Sequence, residues 1–276
     1  MSRLRIVSFS GGKDSTATYL WCLDKFGSDG FVAVSADTGN EHPVTLNYVR
    51  NFHSFVGAPP VVIVRADVSR YTPDISNPFL SLCVKKQRFP STMARFCRRH
   101  LKEIPIQLYI DSIRRDRPVT VYTGLRRAES RHRYFYTRRM LDPKYDCLHY
   151  RPIIGWSADQ VFRFIRSHKV EPNPLYSYGL DRVGCWPCIM AGKHEVSRLD
   201  SRTIDRIREW EGVVKRNSKR GWASFFPWSK DPHQYQPTID DIVQWARTTH
   251  GGTQYDLFAG QRQDIPFCMS EWGVCE

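Results

Sequence analysis

The chain has 276 residues, is 41% apolar and carries a formal charge of +13 with a pI near 9.5. It is long enough for one sizeable core, or for one core with a smaller appendage. It shows no apolar run of signal-peptide form or membrane-spanning length, so a cytoplasmic protein with no membrane partner is expected. The charge favours polyanionic partners such as nucleic acid or phosphorylated ligands, the alternative being a merely soluble basic surface. Eight cysteines in a reducing compartment point to thiols or metal ligands rather than a disulfide framework.

In chain order, residues 5–9 are rich in β-formers and are broken by Gly11-Gly12, and residues 16–26 are compatible with an amphipathic helix. A second strand is expected at 31–35, a turn at Asp37-Thr38-Gly39-Asn40, a helix at 44–55 and a third strand at 61–64. That alternation is the βαβ pattern of a parallel sheet covered by helices. Residues 93–113 read as largely helical, interrupted by Pro105, and 119–123 as a buried strand. Ser157 is a plausible cap for a helix at 161–168 that Pro172 and Pro174 end. From about residue 195 the character changes to two helical segments, 196–215 and 239–250, and an irregular tail. The expected organisation is a nucleotide-binding unit over 1–194 with a helical, irregular extension over 195–276.

A strand that ends in Ser10-Gly11-Gly12-Lys13-Asp14-Ser15 and runs into a helix places backbone N–H groups and a helix N-terminus where phosphate oxygens can sit. An ordinary tight turn is the bland alternative. The spacing is not that of the loop whose owners cleave a terminal phosphate, because only two adjacent glycines are present and Lys13 follows directly. The string resembles the PP-loop family, which splits ATP between its α- and β-phosphates. The resemblance implies a Rossmann-like α/β fold of the adenine nucleotide alpha hydrolase type, with helices on both faces of a parallel sheet. It implies that Ser8, Ser10, Gly11, Gly12, Asp14, Ser15 and Thr16 surround the phosphates of ATP with Mg2+, with Lys13 supplying charge. Asp37 lies where parallel sheets bind ligands at their carboxyl edge, though a plain turn role suits it equally.

The stretch Thr123-Gly124-Leu125-Arg126-Arg127-Ala128-Glu129-Ser130-Arg131-His132-Arg133 is similar to one in phosphoadenylyl-sulfate (PAPS) reductases, as are Arg151-Pro152-Ile153-Ile154-Gly155-Trp156 and Pro172-Asn173-Pro174-Leu175-Tyr176. By that resemblance Gly124, Arg126 and Arg133 join the nucleotide site, and Lys13, Asp14, Arg126 and Arg127 are catalytic candidates. Guanidinium groups suit such positions because they grip phosphate or sulfate oxygens with two parallel bonds. A solvated basic loop is the competing reading.

Cys185-Trp186-Pro187-Cys188 is a Cys-x-x-Cys pair, and Cys97 and Cys83 lie upstream. Four thiolates can close a tetrahedral metal site. Cys97, Cys185 and Cys188 match three of the four cysteines by which cluster-bearing adenylyl-sulfate reductases hold a [4Fe–4S] cluster. Phe96 stands where the fourth would be, and Cys83 is the substitute. A structural zinc would use the same four residues. Cys22 and Cys147 are read as core thiols.

The Glu-Cys-Gly-Leu-His string of sulfonucleotide reductases is absent. Cys268 and Cys275 in the tail are candidate redox or sulfur-carrying thiols, or inert ones. The intact glycine loop, the cysteines and the charge together resemble the sulfur-insertion enzymes of nucleic acids, including Dnd-type proteins of DNA phosphorothioation and tRNA thiolases. This implies an ATP-dependent sulfur transferase with a nucleic-acid acceptor and a cysteine desulfurase or thiol reductant as partner. Reduction of adenylyl sulfate or PAPS and nucleotide binding without turnover are the alternatives, and a homo-oligomer is left open. Trp222, Phe225, Phe226 and Trp228, beside Lys219, Arg220 and Lys230, read as core packing before base stacking.

Overall fold

The computed structural model describes residues 3–227 and 236–249. Strand β1 (Leu4–Ser8) leads through the glycine loop into helix α1 (Lys13–Phe26), then β2 (Val32–Asp37), α2 (Pro43–Val56) and β3 (Val62–Arg65). Helix α3 (Pro78–Lys86) follows, then α4 (Phe96–Arg98), a π turn (Arg99–Glu103) and α5 (Ile104–Arg114) in one continuous run. The chain returns through β4 (Val119–Tyr122), α6 (Arg131–Tyr134), β5 (Arg139–Asp142) and β6 (Cys147–Tyr150) to α7 (Ala158–Ser167), α8 (Lys193–Ser197), α9 (Ser201–Asn217) and α10 (Ile239–Ala246).

The strands form one six-stranded sheet in the order β3-β2-β1-β4-β6-β5, parallel except for β5, which pairs antiparallel with β6. Side-chain alternation along β1 explains why both faces need cover. Leu4 and Ile6 join Val119, Val121, Ile106 and Ile110 on one face, while Val7 and Phe9 join Ala17, Leu20, Phe52 and Val161 on the other. The chain therefore builds the expected α/β sheet with helices on both faces. Because β1 has β2 on one side and β4 on the other, the strand order reverses between β1 and β4, and the loops leaving these strands flank a crevice.

Four local expectations change. Pro105 does not break its helix, because it sits in the first turn of α5 directly after the π turn, where the shifted hydrogen-bond register absorbs the missing N–H. The segment expected at 196–215 divides at Asp200, whose carboxylate accepts from Thr203 N at 2.6 Å and caps α9. Helix α3 and the β5–β6 hairpin were not expected at all. A third hydrophobic cluster joins Phe79, Leu80 and Cys83 of α3 to Trp210, Ile207, Phe225 and Ile239, on both sides of residue 194. Phe225 is thus core, whereas Trp228, Lys230, Cys268 and Cys275 lie outside the described residues. Among the described residues no helix is long and apolar enough to cross a membrane.

Candidate active site at the carboxyl edge of the sheet

The glycine loop is held by its own short polar side chains. Ser15 Oγ accepts from Ser10 N at 3.2 Å, lies 3.0 Å from Ser10 Oγ and donates to Gly12 O at 2.9 Å. Gly11 has φ +80°, and a Cβ there would lie 2.8 Å from Val49 Cγ2, so both conformation and space demand glycine. Asn173 clamps the loop from outside by donating to Gly11 O at 3.2 Å, and Lys13 N donates to Tyr176 Oη at 2.9 Å. Both partners come from the Pro-Asn-Pro-Leu-Tyr stretch.

Beneath the loop, Asp14 is wholly buried between two cations. Lys13 Nζ is 2.8 Å from one carboxylate oxygen and Arg126 Nε 2.5 Å from the other. Burial alone would push this carboxyl up, but the Lys13 ammonium and Arg126 guanidinium outweigh it and hold it below its ordinary value. Gly124, leaving β4, touches the same turn: a Cβ there would come within 2.5 Å of the Asp14 carbonyl and 2.6 Å of Ser15 N. The β4 loop is thereby seated directly on the first turn of α1.

Glu129 organises that loop. Its carboxylate accepts from Arg126 N at 2.9 Å and pairs with the guanidinium of Arg133. Arg133, expected on an anion, is completely enclosed there and braces the loop; Arg127 is exposed, its Nε donating to Tyr136 O at 3.1 Å. Ser8 is buried at the end of β1, and Thr16 is buried in the first turns of α1. Asp37 Oδ1 accepts from Gly39 N at 2.9 Å, which is the turn role weighed for it.

The cysteine loop docks against the segment after β2. Trp186 N donates to Asn40 O at 2.6 Å, Asn40 Nδ2 donates to Pro187 O at 2.9 Å, and Arg206 of α9 donates to Trp186 O. Thr38 N and Oγ1 both donate to Glu41, at 2.8 and 2.7 Å. A narrow cleft of about 20 Å³ lies between the two loops, lined by Phe9, Ser10, Val34, Glu41, Lys102 and Gly184.

Lys102 is buried within the field of Cys185, Glu41, Cys188 and Cys97. Burial opposes its charge, but these groups outweigh that cost and raise its pKa. Burial pushes the Cys185 thiol up to about 12, with Lys102 pulling the other way, and the Cys97 thiol up to about 11, with Cys188 adding to the rise. Burial also drives Cys83 well above its usual range, Cys97 acting in the same direction. At neutral pH the thiols are therefore protonated, and Glu41 supplies the carboxyl partner to the ammonium. Burial raises the pKa of Glu41 in spite of Lys102.

As these side chains stand, no three Cys, His, Asp or Glu groups among the described residues converge closely enough to hold a metal ion. By donor type the set nonetheless fits a soft metal centre. Three thiols share one buried ammonium, a fourth adjoins Cys97, and Arg182 has its own charge favoured by Cys188 against the cost of burial. Sequence reasoning missed Glu41, Lys102, Glu129, Asn173 and Tyr176 as site residues. The last three stand inside stretches singled out for other reasons, and Lys102 is five residues beyond Cys97.

The family model for the phosphoadenosine phosphosulfate reductase domain matches residues 5–191, more than half of the chain. The chain belongs to this family. A 37.8 kDa protein of the gpa 5' region in Escherichia phage 186 is 35% identical to it over all of this chain and 97% of its own length. The adenosine 5'-phosphosulfate reductase of Anoxybacillus flavithermus is 35% identical over 66 residues, 24% of this chain and 28% of that enzyme. A solved PAPS reductase from Candida auris, in its phosphate complex, superposes with a TM-score of 0.49 at 17% identity, covering 68% of this chain and 84% of that one. The member described here thus carries the family's domain through β6, α7 and the cysteine loop, and adds α8, α9 and α10 beyond it.

Proposed function

We propose that the chain is an ATP pyrophosphatase that adenylylates an anionic acceptor, most readily a nucleic acid, and so prepares an oxygen for replacement by sulfur. The observation that carries this reading is the convergence of Lys13 and Arg126 on the buried Asp14 at the N-terminus of α1. Two cations converge on one carboxylate there, at the positive end of a helix. That arrangement suits a polyphosphate. Phe9, Val34 and Val49 give the narrow cleft beside the loop an apolar wall.

In this reading Ser8, Ser10, Gly11, Gly12, Ser15 and Thr16 shape the loop whose amides face the phosphates, with Mg2+ bound through the phosphates. Lys13 and Arg126 stabilise charge that develops as pyrophosphate leaves, and Asp14 fixes both. Gly124 lets the β4 loop close on this turn, Asp37 stands at the carboxyl end of β2, and Arg127 is the exposed cation nearest in sequence to Arg126. Arg133 acts through Glu129 by positioning. Cys83, Cys97, Cys185 and Cys188 would hold a [4Fe–4S] cluster, or zinc in their place. When bound, such a group would supply a fixed, polarising charge beside the cleft. Cys268 or Cys275 would carry sulfur delivered by a cysteine desulfurase, or be reduced as a redox thiol by a thiol reductant. The likeness to Dnd-type proteins belongs to this reading.

The test is an anaerobic assay of purified protein with ATP and either RNA or DNA. Release of pyrophosphate and AMP, lost in Lys13→Ala, is the expected result; radiolabelled ATP that stays intact with every acceptor overturns it. A second reading, reduction of a sulfonucleotide, is favoured by the family itself and by the similarity to adenosine 5'-phosphosulfate reductases. Sulfite released from adenylyl sulfate or PAPS with a dithiol selects it. Tight nucleotide binding with no product would leave a binding module.

A further inference from the structure

Residues 127–141 contain Arg127, Arg131, Arg133, Arg138 and Arg139, and Glu129 is the sole acid among them. The fold sorts these groups by side. Glu129 and Arg133 turn inward and pair, and Arg126 just upstream is drawn onto Asp14. Arg127, Arg131, Arg138 and Arg139 are left on the surface with His132. Within residues 127–141 no exposed carboxylate stands among them, since Glu129 is buried.

Two aromatic rings share that surface. Phe135 is 81% exposed and Tyr134 is 66% exposed, and they stand edge to face with centroids 5.5 Å apart. Neither belongs to any of the three hydrophobic clusters. Exposing two neighbouring large rings has a cost that a monomer ordinarily avoids, and such patches mark contact surfaces. An acidic protein would satisfy the charges but not explain the rings. Unpaired nucleotides satisfy both, since phosphates meet the guanidinium groups and base faces stack on the rings. A duplex hides its base faces and offers only phosphates.

The position of the patch ties it to the proposed chemistry. It leaves β4 through Gly124, whose backbone rests on Asp14, and it is anchored by Glu129 three residues from Arg126. We infer that residues 127–141, through Tyr134, Phe135 and the exposed arginines, are the docking surface for a single-stranded nucleic acid that presents the acceptor to the glycine loop. The inference rests on the nucleic-acid reading of the preceding section and names the strandedness and the residues.

Fluorescence anisotropy with end-labelled 20-mer RNA and DNA, single-stranded and duplex, tests this on the full chain at low salt. The single strand is expected to bind more tightly than the duplex or polyglutamate, and Tyr134→Ala/Phe135→Ala to weaken it by about five- to hundredfold. Arg131→Ala is expected to reduce the salt slope by about 0.7. Tyr134→Phe/Phe135→Tyr should retain binding, because it keeps both rings. Arg95→Ala/Arg99→Ala, which removes two charges from the other basic groove, lined by Lys86, Arg95 and Arg99, is expected to have the smaller effect. Equal binding of duplex, an unaffected Tyr134→Ala/Phe135→Ala variant, or a greater loss from the Arg95→Ala/Arg99→Ala variant overturns the inference. Calorimetry with a non-hydrolysable ATP analogue separates the two claims. Strand binding without nucleotide binding leaves this surface standing and removes the proposed reaction, whereas ATP cleavage without strand binding does the reverse.

Discussion

The glycine loop and the cysteine loop face the same cleft but are held in opposite ways. The first is fixed largely from within, by Gly11 at positive φ, by Ser15 Oγ on Ser10 and Gly12, and by a carboxylate kept ionised between two cations, with Asn173 and Tyr176 clamping it from outside. The second is fixed by groups reaching across from other elements, Asn40 and Arg206, and its Cys185 thiol is neutral beside a charged lysine. The internal bonds of the first loop lie within residues 10–15 and need only the strand and helix that flank it. The second depends on α9 and the β2 loop arriving together, which suits a centre that must admit or release a group.

The largest effect should come from Asp14→Asn, which removes the buried carboxylate that Arg126 and Lys13 share. Breaking such a pair costs about 3–5 kcal/mol, read as a fall in the denaturant midpoint. A midpoint unchanged from wild type would show that the two cations do not depend on this carboxylate. Gly124→Ala comes next. Its Cβ must displace backbone rather than a flexible side chain, for a cost of about 1–3 kcal/mol together with loss of nucleotide binding. Nucleotide binding at wild-type strength would mean that the β4 loop moves freely from α1.

Asn40→Ala tests the other loop. It strands Pro187 O and releases one contact of the cysteine segment, for about 1–2 kcal/mol and faster proteolysis near residue 186, with nucleotide affinity preserved. The smallest effect is chemical. Alkylation of Cys97 and Cys185 by iodoacetamide should stay slow through pH 8 and rise only as pH approaches 11–12, because the neutral thiol is unreactive. Lys102→Met should move the Cys185 onset higher still, since the ammonium is what lowers it. For Asp14 the sign is opposite. Its folded pKa lies below the ordinary value, so its contribution to stability is present at neutral pH and is lost only as acid protonates it.

These contrasts also explain what the sequence made legible. A glycine loop between strand and helix is a local event, so residues 10–15 announced it, and β1, β2, β3 and β4 followed from apolar runs. The β5–β6 hairpin did not, because Arg139-Met140-Leu141-Asp142 is a half-exposed edge strand whose polar residues imitate a loop. Helix α3 is too short and too uniformly buried to show a periodic face. Lys102 and Asn173 matter through contacts with residues distant in the chain, which no spacing rule encodes, whereas Glu129 pairs with Arg126 and Arg133 three and four positions away and was hidden by its burial. Arg133 showed the reverse failure: an arginine in an anion-binding motif spends its charge on Glu129 inside the protein.

The π turn at Arg99–Glu103 carries a consequence for how this helix evolves and how it is engineered. It holds one residue more than an ordinary helical turn would between Cys97 and Pro105, and it lets Arg98 reach Glu103, five positions on, at 2.9 Å. Deleting a single residue there would tighten the run to regular pitch with its flanks nearly in phase and would remove the five-residue reach of Arg98 to Glu103. The wide turn is thus the place where this helix tolerates a change of length, with the phosphate loop left untouched.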